Sequence, residues 1–301
     1  MRSHHLRAAA GAGVYSGNIA VTHASSPYIS VYSWTSGQGF GTKYSDPSTT
    51  PTGTGYGVAW SPDGSDIAVV HNNSPYITVY SWSSGFGAKY SDPGFTPPTT
   101  SRSVAWKPDG SDIAIAHGVS PNVSAYKWSN FSTYTSKYAN PSTPPANTGF
   151  GVAFSPDGSD IAVAHLNTPY ISAYPWTSGH FQTDGFGAKY SNPSTMITSN
   201  ALGVAFSPDG SDISIVGNFG ITAYPWNSGF GAKYSNPSTT PSGQGRSVVF
   251  TPDGSDIAVT HASSPYISVY PWTSGSGFGT KYSDPSTLPP DQGRGVAFSP
   301  A

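Results

Sequence analysis

Five histidines, His23, His71, His117, His165 and His261, stand at matching places in copies of one motif. Imidazoles repeated in this way suggest a metal ring or a proton relay. Zinc holds histidine nitrogens at about 2.0–2.1 Å, whereas packed sheets lie about 10 Å apart. One ion therefore bridges two copies at most, and no second carboxylate recurs beside the histidine. The competing reading is a histidine that bonds to the turn before the following Ser-Pro-Tyr. A second candidate is the pair of aspartates in Asp63-Gly-Ser-Asp66 and its copies. Calcium takes about 6–8 oxygens, but the EF-loop pattern is missing and Ser-Pro-Asp-Gly is a complete turn signal. A third is the lysine of every copy: Lys43, Lys89, Lys137, Lys189, Lys233 and Lys281. These form either a cationic ring for an anionic partner or a guard against pairing along an exposed sheet edge, and the guard is preferred.

No general-acid pair, nucleophile elbow, glycine-rich phosphate loop or cofactor motif is present. Serine, histidine and aspartate are abundant, yet a catalytic site needs different residues converging on one point. The positions of interest are those where near-identical copies differ. One lies two residues before the first-strand valine and holds Tyr56, Arg102, Phe150, Leu202, Arg246 and Arg294. The residue between is Gly in four copies and Ser in two (Ser103 and Ser247). These six side chains are expected to crowd one mouth of a central channel. Arginine and aromatics are the types favoured at binding hot spots. The competing reading is neutral variation on exposed loops.

The elements that must position them repeat with the motif. Gly57-Val-Ala-Trp-Ser-Pro-Asp-Gly-Ser-Asp-Ile-Ala-Val-Val-His71 returns at 104–117, 151–165, 203–217 and 248–261. The chain opens with only the back of this block, Gly17–His23, and stops after its front, Gly295–Pro300, so the two ends add up to a sixth copy. Successive Asp-Gly turns at Asp63, Asp109, Asp157, Asp209 and Asp253 are 46, 48, 52 and 44 residues apart, longer than helical repeats and near the length of a four-stranded blade. In the copy from Gly57 the strands are predicted at 57–61, 67–71, 76–82 and 88–91. The third carries Tyr76, Tyr80 and Trp82 on one side and Ile77 and Val79 on the other. Such a sheet needs cover on both faces, which radial stacking provides. Small residues at Ala68, Ala114, Ala162 and Ala258 would admit a neighbour's aromatics. The expected fold is all-β: a six-bladed β-propeller of four-stranded antiparallel blades over 13–301, closed by pairing of the N- and C-terminal strands. Residues 295–299 supply the innermost strand of the closing blade and residues 17–45 the other three. Residues 1–12 are read as a disordered or tag-like tail.

Composition agrees. All fifteen acidic residues are Asp and leucine occurs only four times, so good helix formers are avoided. The net charge is −2 with 9% charged residues, and the cations are spread through the repeats. No basic stripe exists to track a phosphate backbone, so nucleic acid is not an expected partner. No apolar run is long enough for a membrane-spanning helix, and the N-terminus lacks the apolar core of a signal peptide. The absence of cysteine removes disulfides and thiol chemistry. A cytoplasmic or virion-associated monomer is expected.

The run Val-Ala-Phe-Ser-Pro-Asp-Gly-Ser-Asp-Ile-Ala-Val-Ala-His (152–165), followed by Pro-Tyr-Ile-Ser-Ala-Tyr (169–174), resembles WD40-like propeller repeats, of the highly repetitive bacterial and phage type. The resemblance covers nearly the whole chain beyond residue 12. The Trp-Asp pair of that family is replaced by Tyr-Ser-Trp or Tyr-Pro-Trp, as at 80–82 and 174–176, and the Gly-His pair before the first strand is missing. The resemblance implies the fold, while the family's partner-binding roles do not carry over residue by residue. Because a near-symmetric ring offers the same residues six times, which argues against catalysis, the expected function is a non-enzymatic interaction scaffold for a protein or surface ligand. One alternative is a carbohydrate-binding adhesin or virion-associated protein. Another is a propeller enzyme of the lactonase or hydrolase kind, which would need a metal cluster in the channel.

Overall fold

The computed structural model describes residues 16–35, 39–94, 96–128, 137–180, 183–284 and 295–296. Its strands fall into six antiparallel sheets in chain order. The first holds β1 (Ser16–Thr22), β2 (Ile29–Thr35) and β3 (Gly39–Lys43). The second holds β4 (Gly55–Trp60), β5 (Asp66–His71), β6 (Ile77–Trp82) and β7 (Phe86–Lys89). The third holds β8 (Ser101–Trp106), β9 (Asp112–His117) and β10 (Val123–Lys127). The fourth holds β11 (Gly149–Phe154), β12 (Asp160–His165), β13 (Ile171–Thr177) and β14 (Gly185–Phe186). The fifth holds β15 (Ala201–Phe206), β16 (Asp212–Gly217) and β17 (Gly220–Pro225). The sixth holds β18 (Gly245–Phe250), β19 (Asp256–His261), β20 (Ile267–Thr273) and β21 (Gly277–Phe278). The chain is a six-bladed β-propeller, and β4, β8, β11, β15 and β18 pack side by side as its innermost strands.

Not every blade shows a full fourth strand. Among the described residues, the third and fifth sheets show it only as single bridges, Tyr126 with Lys137 and Trp226 with Phe230. The outer segment is nevertheless pinned alike throughout: the amides of Tyr44, Tyr90, Tyr138, Tyr190, Tyr234 and Tyr282 each bond to a third-strand carbonyl at 2.9–3.0 Å. In the second sheet the outer strand begins earlier than its sequence suggests, because Trp82 pairs with Phe86 and their rings meet edge to face at 5.1 Å. Of the closing sheet's innermost strand only Gly295 and Val296 are described, so the sealing of the ring and the tail at 1–12 lie outside the described residues.

The second strands are buried on both faces. Their small side chains admit the next blade: Ala114 and Ala116 pack with Phe154 and Trp176, and Ala162 and Ala164 with Phe206 and Trp226. Innermost strands approach so closely that a Cβ on Gly151 or Gly203 would stand 3.0 Å from the carbonyl oxygen of Leu202 or Arg246 on the next strand.

Candidate functional site

The conspicuous polar repeats have structural roles. His71, His117, His165 and His261 are fully buried, and each Nε2 meets the hydroxyl of Thr78, Ser124, Ser172 or Ser268 at 3.0–3.1 Å. The Nδ1 of His23, His165 and His261 meets a carbonyl of the following turn at 2.7–2.9 Å. Burial pushes the imidazoles of His71 and His117 down to about 4, and those of His165 and His261 downward as well. They are neutral links between strand and turn. Among the described residues no three His or Asp side chains gather as a metal-binding group.

The two aspartates of each Asp-Gly-Ser-Asp have different tasks. The first closes its own turn: Asp63 accepts from Ser61 Oγ at 2.6 Å and from the Ser65 amide at 3.1 Å, and these bonds hold its carboxyl below the usual range. The second ties blades together, a role that sequence reasoning missed. Asp112 accepts from Tyr138 of its own blade at 2.7 Å and from Trp176 Nε1 of the next blade at 3.0 Å. Asp160 accepts in the same way from Tyr190 and Trp226, and Asp212 from Tyr234 and Trp272. Burial and the bond to the carboxylate raise Tyr90 and Tyr190 to about 12, keeping them neutral donors. A cleft of about 360 Å³ lies beside these turns, lined by Pro62, Asp63, Asp109 and Trp128. The outer lysines each meet the residue three places on: Lys43, Lys89 and Lys281 pair with Asp46, Asp92 and Asp284, and Lys137, Lys189 and Lys233 donate to Asn140, Asn192 and Asn236.

The symmetry-breaking set behaves differently. Tyr56, Arg102, Phe150, Leu202 and Arg246 are the second residues of β4, β8, β11, β15 and β18. Each is the extra residue of a β-bulge: Gly55 pairs with His71 and Gly57 with Val70, and Tyr56 stands unpaired between them. The same shift recurs at Ser101/Ser103, Gly149/Gly151, Ala201/Gly203 and Gly245/Ser247. A bulge turns its side chain out of the strand's alternation, and bulges gather at barrel rims and functional sites. The bulges explain why these strands begin two residues before the predicted 57–61 run. Three of the side chains come together: the Arg102 guanidinium lies 4.4 Å from the centre of the Phe150 ring and 6.0 Å from that of Tyr56. Leu202 and Arg246 continue the same rim, and Arg294 lies outside the described residues.

The rim stands at the opposite end of the innermost strands from the Asp-Gly turns. It has the means to bind an oxyanion by guanidinium donors and to stack a ring or sugar face on Tyr56 and Phe150.

No protein-family model matches the chain, and no curated protein matches it. Its fold is that of solved structures. A putative 6-phosphogluconolactonase from Bacteroides uniformis superposes with a TM-score of 0.67 at 15% identity, over 95% of this chain and 86% of the other. A protein of the same description from Bacteroides fragilis gives 0.70 at 11% identity, over 92% and 84%. At such identities the likeness shows the fold alone. It nevertheless corrects one expectation. A non-enzymatic interaction scaffold was read from the repeats, because identical residues offered six times argue against catalysis. Both similar structures bear the name of a putative enzyme, which speaks against the scaffold reading.

Proposed function

We propose that the chain is a hydrolase of the lactonase kind, working at the channel mouth on a small sugar lactone through its rim side chains rather than through the channel metal cluster that the sequence reading called for. The carrying observation is the bulged rim, which sets unlike side chains at one end of the channel in a fold shared with two proteins named as lactonases. In this reaction water adds to the lactone carbonyl, the ring C–O bond breaks, and a carboxylic acid and a hydroxyl are released. A guanidinium beside the carbonyl oxygen stabilises the charge that develops there. Tyr56 and Phe150 supply apolar faces for a sugar ring. Within the same proposal the repeats are of the WD40-like build, with Asp–Tyr–Trp bonds joining the blades, and the protein works as a monomer. The test follows acid release from 6-phosphogluconolactone and from unphosphorylated gluconolactone, against the spontaneous rate. Acceleration that the Arg102→Ala variant loses supports the proposal. Hydrolysis of both at the spontaneous rate overturns it.

A further inference from the structure

Arg102 is unusual in this molecule. Ten of the fifteen aspartates lie in the Asp-Gly-Ser-Asp turns at the far end of the innermost strands, and Asp46, Asp92 and Asp284 are paired with outer lysines. Among the described residues no carboxylate forms an ion pair with Arg102. Its charge is met by aromatic rings from both neighbouring blades. Its Nε is shut off from solvent with no hydrogen-bond partner, which leaves the terminal amino groups as the working edge. A guanidinium with an aromatic ring of each neighbouring blade beside it and no carboxylate paired to it is suited to bidentate capture of an oxyanion by its amino groups. The next residue holds the strand in place: Ser103 Oγ accepts from the Val152 amide of the following blade at 3.4 Å.

The third and sixth sheets share a further feature. Only they have Arg followed by Ser at the bulge, Arg102-Ser103 and Arg246-Ser247. In a ring of six sheets these two stand three blades apart, on opposite sides of the axis.

We propose that Arg102, with Phe150 and Tyr56 beside it, is an oxyanion-binding site of the channel mouth, and that Arg246 across the ring receives a second polar or anionic group of the same small ligand. The site takes a phosphate or a carboxylate. The choice of a sugar acid as probe rests on the hydrolase reading, while the anion site itself does not. The experiment is calorimetric titration of the parent, R102A, R102K and R246A with inorganic phosphate, gluconate and 6-phosphogluconate, after thermal melts confirm that each variant is folded. The parent is expected to bind 6-phosphogluconate more tightly than either simpler anion. R102A weakens every anion by about tenfold or more, and R102K does not restore binding, because an ammonium lacks the planar fork. R246A weakens 6-phosphogluconate more than inorganic phosphate. Phosphate binding without gluconate binding identifies the group at Arg102 as phosphate, and the reverse identifies a carboxylate. Should R102A fail to fold, R102Q carries the same comparison. Equal binding by parent and folded R102A or R102Q, or no anion binding by the parent, overturns the site. Anion binding without lactone hydrolysis leaves the site standing and discards the hydrolase reading. Hydrolysis that persists in an R102A variant whose anion binding is lost leaves the site standing and removes Arg102 from the reaction.

Discussion

Acid should loosen this propeller in a pH window where carboxylates are not yet titrating. His71 and His117 are buried and held near pKa 4 by loss of hydration, and each is neutral where it bonds to Thr78 or Ser124. In the unfolded chain the same groups titrate near 6.5. Below that pH the unfolded state binds more protons, so stability is fully present above 6.5 and falls as pH drops toward the folded value. At pH 5 the linkage relation gives a loss of about 2 kcal/mol for each of the two histidines, rising to about 3 kcal/mol each below pH 4. His165 and His261 shift the same way and add to the effect. The turn carboxylates do not obscure it. Burial opposes ionisation of Asp109, yet the bonds from Lys107 and Ser111 hold it at about 2, so its contribution disappears only in stronger acid. Urea unfolding at pH 7 and pH 5 measures the quantity. The parent is expected to lose about 4 kcal/mol or more between the two. The His71→Gln/His117→Gln double variant starts less stable but loses about 4 kcal/mol less over the same interval. Equal losses for parent and double variant would refute the assignment of buried neutral imidazoles.

Three further outcomes follow from the packing. Asp112→Asn exchanges a carboxylate that accepts from Tyr138 and Trp176 for an amide that cannot satisfy both donors, and costs about 1–3 kcal/mol by urea midpoint. A change within experimental error would deny the inter-blade tie. Lys43→Ala, at an exposed edge pair, shifts stability by no more than about 0.5 kcal/mol in the same assay. Gly217→His restores the residue found in the other copies, yet it destabilises by about 2 kcal/mol or more. A Cβ there would lie 1.9 Å from the Asn200 carbonyl oxygen, and overpacking against backbone is not relieved by rotation. A neutral or stabilising result in a thermal melt would show that the fifth blade can adopt the common geometry.

Much of this architecture was legible because one unit is written repeatedly. The turn Ser61-Pro62-Asp63-Gly64 and the apolar run from Ile67 locate the first hairpin without any tertiary knowledge, and six such runs imply six sheets. Bulges were not legible, since an extra residue leaves the spacing of each copy unchanged. The trace they left was variation: the bulged position is free of the pairing that keeps its neighbours alike, and so it carries Tyr, Arg, Phe, Leu and Arg in turn. The second aspartate was misjudged for a different reason. Its partner Trp176 lies 64 residues away, in the next blade, and local spacing reports on the turn alone. The recurrence of one Asp, one Tyr and one Trp per copy was the available signal. Function was least legible, because the residues with the most chemical promise, histidine and aspartate, are consumed in holding strands and blades together.

A ring of equal blades has a difficulty with specificity: whatever binds one position binds them all, and a small ligand on the axis meets the same group from every side. The bulge resolves this without disturbing the frame. Paired positions on either side keep their partners, as Ser101 with His117 and Ser103 with Ala116, so the intervening residue changes at little cost to the sheet. Substituting there alone lowers the symmetry of the mouth while the blades remain copies. With Arg-Ser in the third and sixth sheets and aromatics flanking the first of these, sixfold repetition is reduced at the rim toward a two-ended pattern. A ligand with unlike ends is matched by such a rim, and neither an all-arginine nor an all-aromatic ring could orient it.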